Sequence, residues 1–151
     1  MNRNKGFTTV ELMVVVGIAG VLAMTSTLSY LTLRTSLHLS GASRQVLGDL
    51  LSARMKAVNQ NKIFKVFFPS GTNQYKICDD ADGNGTVEDG EGDVLVKNIQ
   101  DDYPGVTIAA SVDPVFSPRG TATAGTTVTL TNPKGSKTLS VASTGRVKIN
   151  G

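Results

Sequence analysis

One cysteine, one histidine and no tryptophan occur in 151 residues. The lone thiol, Cys78, excludes an intrachain disulfide, and on an apolar strand it reads as a buried, inert side chain. His38 sits in a Ser/Leu context with no second ligand at metal-binding spacing, and reads as a helix-surface residue. Nucleophile-elbow, phosphate-loop and zinc spacings are all missing. Catalysis has no residues to carry it, so a non-enzymatic role is expected. Aromatic residues make up 5% of the chain and form no stacking platform for nucleic acid. The net charge is +3, but Arg3 and Lys5 alone supply two of those charges. The basic pI is therefore no argument for a nucleic-acid partner.

Charge of one sign is also scarce over long stretches. Nine of the twelve acids lie between Asp79 and Asp102. After Tyr103 a single acid, Asp113, faces Arg119, Lys134, Lys137, Arg146 and Lys148. Such segregation marks either a partner surface or a solvated face.

The N-terminal third almost lacks charge. Between Phe7 and Leu33 only Glu11 is charged. As a helix this stretch is about 40 Å long at ~1.5 Å per residue, enough to cross a bilayer. Arg3 and Lys5 ahead of it place the N-terminus in the cytoplasm and the remainder outside. A secretory signal is the competing reading, with Ala19 to Ala23 as a weak cleavage region. The apolar run is roughly twice the length of a usual signal core. A carboxylate within it costs about 2.5–3.5 kcal/mol at the bilayer centre and less near the edge, so Glu11 needs a partner. A cut after Gly6 would supply one, because the amine of Phe7 would lie four residues ahead of Glu11 on one helical face.

Beyond Arg34 the chain stays helix-compatible to about Asn59, with no proline. Leu39, Val46, Leu50, Ala53 and Ala57 follow helical spacing. Gln45, Asp49, Ser52, Lys56 and Asn59 fall on the opposite face, as in an amphipathic helix packed on its own globular partner. From Lys62 the pattern becomes short strands. They are expected at 62–68, 74–78, 94–99, 106–109, 114–117, 126–131, 137–141 and 146–149, separated by proline and glycine turns. The fold class is α+β: a long helix packed on an antiparallel, β-sandwich-like head. Four segments follow: a leader over 1–6, a spanning helix over 7–33, an amphipathic helix over 34–61 and a β-rich head over 62–151.

The run Lys5-Gly6-Phe7-Thr8-Thr9-Val10-Glu11-Leu12, followed by a long apolar helix, resembles the type IV prepilin signal. That resemblance implies cleavage between Gly6 and Phe7 by a prepilin peptidase, N-methylation of Phe7, and a role for Glu11 in docking into a growing filament. Leu28 stands where many relatives of this kind carry a helix-kinking proline. Gly17 and Gly20 offer close helix packing or simple tolerance of glycine in a membrane helix. In the head, Ala53 to Val58, the strand ending Cys78-Asp79-Asp80, the turn Phe116 to Gly120 and the terminal run Ser143 to Val147 resemble the GspH/FimT group of minor pseudopilins and minor pilins. The group implies a pilin-like head, a bacterial inner-membrane location with the head in the periplasm, partnership with other pilins, and a structural role supporting protein secretion. A secreted cargo is a further partner in that role.

Two side features remain. Asp80 to Glu91 fits the calcium-loop pattern D-x-[DN]-x-[DN]-G-x5-E. Asp80, Asp82, Asn84, the Thr86 carbonyl and Glu91 would be the ligands, with Gly85 at the sharp turn and Val87 as the apolar anchor. Neither flank reads as a helix, so the loop is not a standard EF-hand, and an acidic, glycine-rich β-connection fits the pattern equally. The second feature is Arg146 and Lys148. Within the FimT-like resemblance they match positions linked to DNA uptake, with Lys134, Lys137 and Arg119 as helpers. Phosphate contacts there would bind DNA without sequence preference.

Overall fold

A computed structural model describes residues 6–92 and 94–150, with the side chains of residues 25–32 outside that description. The leader positions 1–5 and the Leu28 position therefore lie outside the described side chains. The chain divides into two compact units, the first ending at Arg34 and the second running from Thr35 to Gly151.

Helix α1 spans Thr9–Gln60. It starts on a threonine cap, since Thr8 Oγ1 accepts from the Glu11 amide at 3.3 Å. Thr8-Thr9-Val10-Glu11 is thus a capping-box sequence, and the Glu11 carboxylate also sits favourably in the positive first turn. The helix ends where Asn61 takes a left-handed φ of 52° and the Lys62 amide donates back to the Ala57 carbonyl at 3.2 Å. That closing bond satisfies a terminal carbonyl, as in a Schellman ending. Among the described residues no helix is long and apolar enough to cross a membrane. The spanning segment expected over 7–33 runs through residues 25–32, whose side chains are not described.

In the second unit α1 buries Leu39, Ala42, Val46, Leu50, Ala53 and Ala57. The five residues read from the sequence are all there, and Ala42 joins them. Small side chains on this face bring the helix close to the sheets. Gly41 leaves room for Tyr103 after the short helix at 99–102, since a Cβ there would stand 2.4 Å from the Tyr103 ring.

Eight strands form the head: β1 (Phe64–Phe67), β2 (Gln74–Asp79), β3 (Leu95–Asn98), β4 (Thr107–Ala110), β5 (Val115–Phe116), β6 (Thr126–Asn132), β7 (Gly135–Val141) and β8 (Val147–Asn150). All expected strands are found, with ends shifted by one or two residues. They make two antiparallel sheets, in orders β3-β2-β1-β5 and β4-β6-β7-β8. Phe64, Val66, Tyr75, Ile77 and Phe116 from the first sheet meet Val106, Ile108, Val128, Leu130, Leu139 and Val141 in one cluster with the helix stripe. Burying each large apolar side chain there contributes about 1.5–3 kcal/mol.

Three local readings change. Ile99 opens a short helix α2 (Ile99–Asp102) rather than ending a strand, because the Asn98 side chain accepts from the Gln100 amide and caps it. Asp49 is not a solvent-facing residue. Its carboxylate accepts from the Tyr75 hydroxyl and from Lys97 Nζ at 2.8 and 2.9 Å, joining α1 to β2 and β3. Burial, and next the Asp49 carboxylate, push the Tyr75 hydroxyl well above its ordinary range. His38 is half-buried, edge-on to Tyr103, with Nδ1 3.3 Å from the Pro104 carbonyl. Cys78 is buried, as its strand position implies.

Candidate functional site

The first candidate region is the start of α1. Gly6, Phe7 and Thr8 are exposed and precede the helix. The Gly6–Phe7 bond therefore lies in a short non-helical segment, where a peptidase can bind extended backbone. Gly6, Phe7, Thr8 and Glu11 line one shallow groove of about 350 Å³. Glu11 is thus brought beside the Gly6–Phe7 bond. Phe7 itself stands outside the helix, so the shared helical face drawn from the sequence is not formed.

Further along the same segment, Val10, Met13, Val14, Ile18, Val21 and Leu22 are all more than half exposed. A helix that is apolar around its circumference needs a surrounding apolar medium or other helices. The second unit behaves differently, with the helix stripe Leu39, Val46, Leu50, Ala53 and Ala57 covered by its own head.

Those features together fit a pilin-like subunit: an exposed Gly6–Phe7 bond, an acid one turn inside an apolar helix, and a separate β head. The comparisons agree. A model of the prokaryotic N-terminal methylation motif matches residues 1–27. The family model described as type II transport protein GspH matches residues 42–145, more than half of the chain. The chain belongs to the GspH family. Its role is that of a structural minor pseudopilin or minor pilin of type II secretion or type IV pili.

Solved structures with this GspH-type fold include the type IV minor pilin FimU of Pseudomonas aeruginosa. It is 16% identical at a TM-score of 0.57, over 75% of this chain and 88% of that one. The minor pseudopilin EpsH from the type 2 secretion system of Vibrio cholerae is 11% identical at a TM-score of 0.59, over 75% of this chain and 96% of that one. At such identities the likeness speaks to fold alone. No curated protein matches the sequence.

The second region is the β2–β3 connection of this GspH-family head. Asp80, Asp82 and Glu91 bring carboxylate oxygens within 4.8 Å of one another. Val87 is buried and anchors the loop. Asp80 accepts from the amides of Gly83, Asn84 and Gly85 at 2.8–3.1 Å. Glu91 accepts from Glu88, Ala81 and Asp82. Those backbone donors, Glu88 foremost, hold the Glu91 carboxyl below its usual range. Asn84 Oδ1 accepts from the Thr86 amide at 2.7 Å. The donor set is hard oxygen throughout, which fits calcium; Asp80 Oδ2 and Glu91 Oε2 each accept one loop amide and keep lone-pair capacity, whereas Asp80 Oδ1 and Glu91 Oε1 already accept two.

The third region holds the basic positions. Arg146 and Lys148 are both exposed, at and within the edge strand β8. The turn before them packs tightly, since a Cβ on Gly145 would lie 1.9 Å from the Gly120 carbonyl oxygen. Arg119 therefore neighbours this turn. Lys134 and Lys137 do not gather with it. Lys134 is at the β6–β7 turn, roughly 20 Å away along β7 at ~3.3 Å per residue, and Lys137 donates to the Ser40 hydroxyl at 3.1 Å.

Sequence reasoning missed the Thr8 cap and the Asp49–Tyr75–Lys97 network. The first was legible as T-x-x-E ahead of an apolar run. The second was not, because it joins residues far apart in the chain.

Proposed function

We propose that α1 anchors this subunit in the bacterial inner membrane with the head in the periplasm. A prepilin peptidase cuts between Gly6 and Phe7, the new amine is methylated, and the mature chain enters a filament through Glu11. The exposed Gly6–Phe7 junction with Glu11 in the adjoining groove is the observation that carries this reading. Freed of the leader, the Phe7 amine is positive, and pairing it with a Glu11 carboxylate neutralises both charges within an apolar core. The exposed apolar residues that follow then pack against neighbouring helices. The head is left to contact other subunits or a secreted cargo.

The test is incorporation. A Glu11→Leu chain expressed with the filament machinery should be processed and retained in the membrane but missing from sheared filaments. Wild-type levels of Glu11→Leu in filaments would overturn the role given to this carboxylate.

The acidic loop is part of the same proposal. Calcium held by Asp80, Asp82, Asn84, the Thr86 carbonyl and Glu91 rigidifies the β2–β3 connection of the periplasmic head. DNA binding through Arg146 and Lys148 is the competing reading. A low-salt gel shift with the Arg146→Ala, Lys148→Ala double variant as control separates it from a purely structural role.

A further inference from the structure

Beside its buried stripe, the last turns of α1 carry a second apolar stripe that the head leaves open. Leu51, Met55 and Val58 repeat at helical spacing. Met55 is 63% exposed and Val58 48%. With Arg54, Arg119 and Gly120 they line an open groove of about 480 Å³, and among the described residues no acid lines it. Single exposed apolar residues are ordinary, but a contiguous patch with a charged rim marks a contact.

The charges on that rim are unspent. Lys62, Lys76 and Lys97 each pair with an aspartate, whereas among the described residues neither Arg54 nor Arg119 takes part in an ion pair. Arg54 is half-buried, and its Nε donates to the Gly120 carbonyl at 2.7 Å. Gly145 gives this bond its room, since a Cβ there would stand 2.9 Å from the same nitrogen. With Nε engaged, the two Nη groups remain as an end-on fork, which takes a carboxylate bidentately. A guanidinium already held in place loses little rotamer freedom on binding. Arg119 is exposed beside Gly120 and supplies a second positive group.

We propose that this groove seats a short acidic, apolar segment from a different subunit of the filament. One Asp or Glu of that segment pairs with the Arg54 fork and Arg119, and its apolar neighbours cover Leu51, Met55 and Val58. This rests on the filament reading above and names the surface through which the head meets a neighbour. A minor subunit meets unlike neighbours, so the occupant is another chain and not a further copy. The volume lies within the ~300–1,000 Å³ of small-ligand sites, so the groove takes a few side chains rather than a whole interface. Met55 suits it, because a thioether side chain adapts to the shape laid over it. A nucleic-acid backbone would satisfy the arginines but leave the apolar floor wet. Helix packing in the filament supplies the high effective concentration that so small a contact needs.

Site-specific photo-cross-linking in assembled filaments tests this. A benzophenone amino acid replaces Asn59, which borders the groove and leaves its arginines and apolar floor intact. The full-length chain is expressed with the filament machinery. The expected adduct is with a different pilin-like subunit, at a segment where mass spectrometry places an Asp or Glu beside apolar residues. Arg119→Glu, at an exposed position, should leave head melting unchanged and lower the adduct yield about tenfold. Replacing the identified acid by lysine in the partner should restore the yield. A cross-linker at Val14 reports helix packing in parallel. Adducts from Val14 with none from Asn59 overturn the groove contact and leave filament assembly standing. Absence of both overturns the two together. An Asn59 adduct to nucleic acid, to a secreted cargo or to a second copy of this chain overturns the assignment, as does an adduct that Arg119→Glu leaves at full yield.

Discussion

The two halves of α1 use their apolar residues in opposite ways. Val10 to Met24 shows them on every side, with Phe7, Val10, Met13 and Met24 more than 70% exposed. In the second half Leu39, Ala42, Val46, Leu50, Ala53 and Ala57 form one stripe, each less than 10% exposed. The segments differ in polarity, since Arg44, Asp49, Arg54 and Lys56 interrupt the second and Glu11 alone interrupts the first. They differ also in cover. The head satisfies its half of the helix. The first half exposes its apolar residues, and its one carboxylate is an acid that neutral packing would exclude. The comparison assigns assembly to the first unit and stability to the second.

That division is open to attack by substitution. The largest expected effect is at the centre of the first half. Ile18→Asp places a charge where it costs about 2.5–3.5 kcal/mol in lipid, and should remove the chain from the membrane fraction and from filaments. Thermal melting of the head should not change. Next is Leu50→Ala in the second half. It deletes buried methyl groups from a fully packed position and should destabilise the head by about 2–5 kcal/mol in denaturant titration. Processing at Gly6–Phe7 should persist. A change in both properties from either substitution would break the comparison.

Asp49→Ala should cost about 1–3 kcal/mol, because the buried Tyr75 hydroxyl and Lys97 lose their shared acceptor. Asp49→Asn should recover part of this in the same titration. The smallest effect belongs to the acidic loop. The Glu91 carboxyl is held below its ordinary value of 4.5, so its contribution is complete above that pH and is lost as pH falls through the lower folded value. Amide exchange at Glu88 and Ala81 should therefore accelerate at acid pH, and Glu91→Gln should remove this dependence. Millimolar calcium should raise the melting temperature through mass action, and an unchanged melting temperature would remove the ion from the proposal.

Much of this organisation was legible in the sequence because it is periodic or local. The helical spacing of Leu39, Val46, Leu50, Ala53 and Ala57 predicted the buried stripe, and proline and glycine turns marked all eight strands. The convergence of Asp80, Asp82 and Glu91 follows from a loop of fixed length. Features that depend on tertiary placement were not visible. Asp49 sits on the polar side of the helix, yet β2 and β3 approach there and supply partners from more than twenty residues away. Ile99 was read as strand because its β-branched neighbourhood outweighs the cap that Asn98 provides. The scatter of Lys134 and Lys137 away from Arg146 likewise follows from the length of β7, which sequence order does not reveal.

The measurement closest to the central claim is the N-terminal mass of the chain recovered from cells that carry a prepilin peptidase. The account predicts a product beginning at Phe7 and heavier than the bare peptide by one methyl group, with the uncut chain accumulating when the peptidase is absent. A native product that retains Met1, or one cut beyond Leu22, would contradict it.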